Sequence, residues 1–370
     1  MTRVLITGGA GFIGSHVADD LLGHGFDVRV LDSLVAQVHG ADRQRPEYLD
    51  DRVELFVGDV RDRASVDAAL DGVDAIIHLA AAVGVGQSMY EIDTYVGANS
   101  LGTAVLLQAM IEGSTRPLVV ASSMSIYGEG LYARPDGSAC TDASRTIAQL
   151  ERRQWDPRGP ENQPLAPLPT PESKPPMLSS VYALSKYDQE RLPLIVGHSY
   201  GFPVTALRLF NVYGPRQALS NPYTGVLAIF ASRLLNDEPP LIFEDGGQMR
   251  DFVHVRDVAR AFRKALTTPS AAGQVLNIGS GQPRTILQIA VHMARCLGKE
   301  ISPAVTGAYR AGDIRHCFAD VGRARALLAL PPATDFDSGL IDLCRWLEGQ
   351  QAIDRTAQAQ AELSSRGLAL

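Results

Sequence analysis

Along the first third of the chain, short apolar runs alternate with stretches whose apolar residues recur every three or four positions. The runs Val4–Thr7, Asp27–Leu31, Val53–Val57, Ala75–Leu79 and Leu118–Ser122 predict strands, and Ile13–Gly23, Arg63–Leu70 and Asn99–Glu112 predict helices. Such alternation predicts a doubly wound parallel sheet, covered by helices on both faces and joined by right-handed crossovers. Residues 129–177 break the pattern. They are rich in Pro, Gly and charge, with loop signals at Arg134-Pro135-Asp136-Gly137 and Pro167–Pro176, and they predict a mobile flap rather than a compact element. Beyond them the pattern predicts a helix from Tyr182 to His198, a strand Val204–Leu209, a helix Val226–Asn236, a turn at Asp245-Gly246-Gly247 and helices over 284–298 and 336–349. The expected organisation is α/β: a first domain over 1–210 that includes the insertion, a smaller α/β lobe mainly over 211–349, and an Ala- and Gln-rich tail over 350–370. Part of 250–265 is expected to return to the first domain.

Two motifs add chemistry to this frame. The strand Val4–Thr7 runs into Thr7-Gly8-Gly9-Ala10-Gly11-Phe12-Ile13-Gly14 and then a helix. Glycines at 8, 11 and 14 permit a turn whose backbone amides and helix N-terminus hold a pyrophosphate. Asp32 ends the second strand, 18 residues past Gly14, where a carboxylate accepts the adenosine ribose hydroxyls and repels a 2′-phosphate. NAD is therefore the expected cofactor. Asp59, followed by Val60, ends the third strand, and Leu79-Ala80-Ala81 follows His78 at the end of the fourth. The second motif is Tyr182-Ala183-Leu184-Ser185-Lys186, after a strand ending in Ser122-Ser123. Tyr182 and Lys186 share a helix face. An ammonium beside a phenol favours the phenolate, a usable base near neutral pH, and the Ser123 hydroxyl is placed to orient a substrate alcohol.

Composition narrows the classes. The 370 residues are 45% apolar and 20% charged with a net charge of −7, so nothing favours nucleic acid or an anionic membrane surface. Cys140, Cys296, Cys317 and Cys344 lack metal-site spacing, so no metal is expected, and their small number suits a reducing compartment. The first residues read as a strand rather than a leader, and no apolar run is long enough to span a bilayer. A cytoplasmic protein is expected.

The joint pattern resembles the extended short-chain dehydrogenases/reductases of the nucleotide-sugar epimerase/dehydratase group, from Met1 to about Glu348. The likeness rests on Thr7–Gly14, Asp32, Asp59, His78–Ala81, Asn99 with Gly102-Thr103, Ser122-Ser123 with Ile126-Tyr127-Gly128, Tyr182 with Lys186, and Asn211 before Tyr213-Gly214-Pro215. Arg250–Val255 and Arg310-Ala311-Gly312-Asp313 resemble segments that hold the sugar-nucleotide diphosphate. The resemblance implies a Rossmann fold and NAD held by Gly8, Gly11, Phe12, Ile13, Gly14, Asp32, Asp59, Val60, Leu79, Ala80, Ala81, Asn99, Tyr182 and Lys186. It implies catalysis by Ser123, Tyr182 and Lys186. It implies a nucleoside-diphosphate sugar held by Ser123, Asn211, Arg250, Arg310 and Asp313, with Arg216 and Arg315 weaker candidates, and a homodimer built on the helices from about Asn99 and Val181. Dehydratases and decarboxylases of the group carry acidic residues just after the position of Ser123. Here Met124 and Ser125 stand there, which favours 4-epimerisation over elimination. Residues 81–90, 125–130 and 221–226 resemble the subgroup acting on dTDP-L-rhamnose, which implies a dTDP-6-deoxyhexose substrate. The alternatives are an epimerase of a UDP- or GDP-sugar, a net dehydrogenase or ketoreductase, and a non-catalytic sensor.

Overall fold

The computed structural model describes residues 1–370 except 220, 222–224, 311, 351, 353, 355, 369 and 370. Seven strands form the central sheet: β1 (Arg3–Thr7), β2 (Asp27–Asp32), β3 (Glu54–Val57), β4 (Ala75–His78), β5 (Leu118–Ser123), β6 (Val204–Leu209) and β7 (Val275–Ile278). Their spatial order is β3-β2-β1-β4-β5-β6-β7, and every neighbouring pair is parallel. This is the Rossmann arrangement predicted from the alternation. The order reverses between β1 and β4, and ligands in such sheets lie beyond the carboxyl ends of the strands at that point. β4, β5 and β6 are buried on both faces, which is why they read as continuous apolar runs.

β7 lies far along the chain, within the stretch assigned mainly to the lobe. It pairs with β6 through Val275↔Ala206 to Ile278↔Leu209. The helix Val255–Thr267 also packs here: Val258, Ala261, Phe262 and Ala265 share a core with Val17 and Leu21 of the helix Phe12–Gly23.

The lobe has its own core. The helices Val226–Leu235, Ile286–Cys296 and Phe336–Leu347 pack Phe230, Met293, Leu340 and Leu347 together. Its central strand, Met249–His254, pairs with Asn211–Tyr213, Pro283–Thr285 and His316–Cys317.

The insertion departs from its expectation. Leu131–Ala133 pairs with both Ala139–Cys140 and Ala166–Leu168 in a small antiparallel sheet, over a core of Tyr132, Cys140, Ala143 and Leu165. Backbone bonds from Gly130 N to His316 O and from Thr170 N to Phe318 O, each 2.8 Å, stitch it to the lobe. Pro and Gly content forbids long regular elements there, but buried charges described below supply an anchor that composition cannot display. Among the described residues no helix is long and apolar enough to cross a membrane, and no group of three His, Cys, Asp or Glu could hold a metal ion.

Candidate active site

The cofactor cleft starts at the turn after β1. Gly8 has φ +70°, and a Cβ there would lie 2.7 Å from Ala80 N; one on Gly14 would lie 2.4 Å from Gly8 O. These two glycines let the turn, the helix and the end of β4 approach one another. Gly11 differs: a Cβ there would meet only Gly8 O, at an ordinary 3.5 Å. Gly11 precedes the helix Phe12–Gly23, and no side chain caps that terminus. Open space, free backbone donors and the positive helix end beside Phe12 and Ile13 fit a pyrophosphate.

Asp32 is buried at the end of β2. Its carboxylate accepts from Ala10 N (3.0 Å) and Leu34 N (2.9 Å), so it braces the glycine turn. Ser33 and Leu34 follow it in the chain, and neither is basic. His39 Nε2 in fact lies 3.6 Å from Asp32 Oδ1, and His39 Nδ1 is buried without a partner. Burial lowers the His39 pKa while Asp32 opposes the shift. Asp59 is engaged by Arg61, whose Nη2 lies 2.7 Å from Oδ2, and that pairing lowers the Asp59 pKa. Val60 packs against Gly102. Leu79, Ala80 and Ala81 leave β4 partly exposed along the cleft, with Ala80 N donating to Thr7 Oγ1 (3.2 Å). Asn99 sits in a π-helical turn, Val96–Leu101, of the kind common at functional sites. Its amide is committed to Ala82 O (3.1 Å), Ala82 N (2.7 Å) and Ser185 Oγ (2.9 Å). Asn99 therefore shapes the cleft by holding its neighbours.

The helix Val181–Tyr200 carries the candidates Tyr182 and Lys186. Ser180 caps it by accepting from Ala183 N (3.1 Å), and Ser88 Oγ accepts from Tyr182 N (3.0 Å). Ser123, at the end of β5, is the polar neighbour of the Tyr182 phenol. Ser123 Oγ accepts from Ser125 Oγ–H (2.9 Å) and Ser125 N–H (3.2 Å), which turns its own proton outward. Burial raises the Tyr182 pKa, and Ser123 opposes the shift. Lys186 was expected to hold the phenol down. Instead its Nζ donates to Ala121 O (2.6 Å) and Gln189 Oε1, and burial lowers it to about 7 despite Glu190. Two of its three protons are thus engaged within the protein, and one is left for the cleft.

Several buried groups behind this face escaped the sequence reading. Gln189 reaches Lys186, Ala80 O (3.0 Å) and His78 Nε2 (3.0 Å). His78 also meets Thr7 Oγ1 (2.6 Å) and Thr103 Oγ1 (2.9 Å), and burial, then Lys186, holds it neutral with a pKa of about 3. Glu190 accepts from Ser122 (2.6 Å) and pairs with Arg208 (2.7 Å). Helical spacing was the available signal: 182, 186, 189 and 193 form one stripe.

The substrate side is less uniform. Asn211 Oδ1 and Arg310 Nε are buried without partners, and the Arg310 guanidinium lies over the Phe243 ring at 4.4 Å. Unsatisfied buried polar atoms of this kind suit a bound polar ligand. Arg250 donates to Met249 O, Arg315 O and Ile314 O at 2.5–3.0 Å, with Asp313 Oδ1 at 3.9 Å. Two candidates are drawn elsewhere. Arg216, at φ +71°, pairs with Asp19 (2.8 Å) and covers the Tyr48 ring. Arg315 is consumed by Asp156 (2.8 Å), Glu244 (2.9 Å) and Asp245 (2.7 Å). Its guanidinium is a structural ion, because a buried cation must be paired. Of residues 221–226, part of the subgroup likeness, 222–224 lie outside the described residues.

This geometry can be set beside known proteins. The profile of the NAD dependent epimerase/dehydratase family matches residues 4–148 and 159–279. The chain belongs to that family. It is an enzyme of NAD-dependent type, and the glycine turn, the uncapped helix end and Asp32 fit that cofactor. Among curated relatives, a dTDP-L-rhamnose 4-epimerase of Burkholderia thailandensis is 37% identical over 95% of this chain and 96% of its own length. A putative UDP-glucose 4-epimerase of Methanocaldococcus jannaschii is 31% identical over 93% and 98%. Among family structures, the UDP-glucose 4-epimerase of Thermus thermophilus in complex with NAD has a TM-score of 0.73 at 31% identity, covering 94% of this chain and 99% of that one.

Proposed function

We propose that the protein interconverts the carbon-4 epimers of a dTDP-6-deoxyhexose, with dTDP-L-rhamnose and dTDP-6-deoxy-L-talose as the pair. The observation that carries the reaction type is the Tyr182–Ser123 contact flanked by Met124 and Ser125, none of which offers a carboxyl group for elimination. The substrate assignment is supported by the reaction of the 37% identical relative.

Bound NAD supplies a hydride acceptor that returns what it takes, so no external reductant is consumed. The chain's own residues do the rest. Ser123 donates to the carbon-4 oxygen and orients it. Tyr182 takes the hydroxyl proton and later gives it back. Lys186, with one proton left for the cleft, holds the nicotinamide ribose. Asn211, Arg250 and Arg310 hold the diphosphate while the keto sugar turns and presents its other face. In the same reading the enzyme works in the cytoplasm, residues 1–210 are mainly cofactor domain and 211–349 mainly substrate lobe. Two copies pair through the helical run Ile92–Glu112 and the helix Val181–Tyr200, where Ile92, Val96, Leu101, Leu184 and Ile195 are exposed apolar residues. Leu106 of the same run is buried in the core and does not reach that surface.

The test is incubation with dTDP-, UDP- and GDP-sugars without added cofactor, followed by NMR at carbon 4. Inversion at carbon 4 of the dTDP-6-deoxyhexose alone is expected. Solvent deuterium entering carbon 3 or 5, or net accumulation of reduced cofactor, would overturn the reaction; turnover of a UDP-sugar only would overturn the substrate.

A further inference from the structure

Tyr182 is held from outside its own helix. Its ring meets the edge of Tyr95 in a T-shaped contact, with centroids 6.3 Å apart and an interplanar angle of 88°. Tyr95 is buried, and its hydroxyl donates to Gln87 Oε1 (3.2 Å). Gln87 is buried too, and its carboxamide is oriented on both sides: Nε2 donates to Glu91 Oε1 (3.0 Å), and Oε1 accepts from Gln37 Nε2 (3.1 Å). Gln37 also donates to Asn221 Oδ1 (3.0 Å), which ties this group to the lobe. The next residue, Ser88, holds Tyr182 N. One short segment therefore grips the tyrosine by both backbone and ring.

We propose that Gln87 is a positioning residue for Tyr182, acting through Tyr95. The physical reason is the geometry of proton transfer. An aromatic side chain has two torsions to fix, and an edge-on neighbour anchored by a hydrogen bond narrows the ring's swing, so the phenol oxygen stays on Ser123. Without the Tyr95 hydroxyl or its acceptor, the ring contact survives but is no longer pinned.

The inference rests on Tyr182 being the base. The test compares Tyr95→Phe, Gln87→Leu and the double variant for kcat, KM, NAD affinity, thermal stability and the pH dependence of kcat/KM. Each single change is expected to lower kcat about three- to tenfold, with KM and NAD affinity unchanged. The acid limb of kcat/KM should move to higher pH, because Ser123 lowers the phenol pKa and its influence would weaken. Lys186 on the same helix and Glu91 behind Gln87 remain in every variant, so their charges do not confound the shift. The double variant should be no worse than the more damaging single one. Wild-type kcat and pH profile with only a loss of thermal stability would overturn the proposal, as would additive losses. If Gln87→Leu fails to fold, Tyr95→Phe decides alone. If no nucleotide sugar is turned over, the proposed function fails separately. The positioning role is then read from ultraviolet titration of the phenol in the NAD-bound protein, with Tyr182→Phe as blank: an unshifted titration in Tyr95→Phe would sink it.

Discussion

The cofactor side and the insertion side of this molecule are built from different materials. On the cofactor side the interactions are close backbone approaches and neutral polar links: Gly8 against Ala80, Gly14 against Gly8, and Thr7–His78–Thr103. On the insertion side a buried ion cluster does the joining. Glu244 sits between Arg145 (2.6 Å) and Arg315 (2.9 Å), and Arg315 reaches Asp156 and Asp245. Glu129 accepts from Tyr132 OH and from the backbone of Arg315 and His316. Close approach of backbones is set by which residues lack a Cβ. Charge pairing is set by which opposite charge is buried nearby, and an arginine that is paired is unavailable to a substrate.

The comparison can be broken in several ways. The largest effect is expected at Tyr182→Phe, which removes the proton-transfer group and little else. Turnover should fall by at least about 10²–10⁴-fold while NAD binding persists; near-normal turnover would show that the cofactor side does not hold the base. Next is Glu244→Gln, which leaves two buried guanidinium groups short of a counter-charge. A loss of about 3–5 kcal/mol in denaturant unfolding is expected, and Asp245→Asn, at the more exposed end of the cluster, should cost far less. Equal costs would mean the cluster is surface-like. Gly14→Ala should cost about 1–3 kcal/mol and abolish NAD binding, because its Cβ would lie 2.4 Å from Gly8 O. Gly11→Ala should leave the melting temperature nearly unchanged and weaken NAD alone.

A last test is a pH slope in place of a substitution. Burial lowers His78 to about 3 and His16 to about 4, whereas in the unfolded chain both titrate near about 6.5. Between these values the unfolded state binds protons that the folded state refuses. Stability should therefore fall as pH drops from about 6.5 towards 4, by at most about 1.4 kcal/mol per pH unit for each histidine. Unfolding measured across that range should show the slope, and His78→Gln should reduce it. An unchanged slope in that variant would remove His78 from the account.

Much of the first half of the fold was legible because its signals are local. Strand and helix periods, the glycine spacing and an acid at the end of β2 all lie within a few dozen residues, and the observed strands start or end within a residue of expectation. β7 was not legible as part of the sheet: its partner strand β6 ends 66 residues earlier in the chain, and a short apolar run does not say which sheet it joins. At the site, Ser123, Tyr182 and Lys186 could be placed from strand end and helix face, but the direction of the Lys186 ammonium could not, since Ala121 O and Gln189 compete for it.

The sequence alone determined the doubly wound sheet, the glycine turn and the helix that carries Tyr182 and Lys186, because steric freedom at glycine and the 3.6-residue period act between near neighbours. Only the tertiary structure decided which arginines remain for a ligand and what anchors the insertion. Arg315 and Glu244 lie 71 residues apart, and His316 and Glu129 lie 187 apart. The strength of such contacts depends on burial in a low-dielectric interior, which exists only once the lobes have packed.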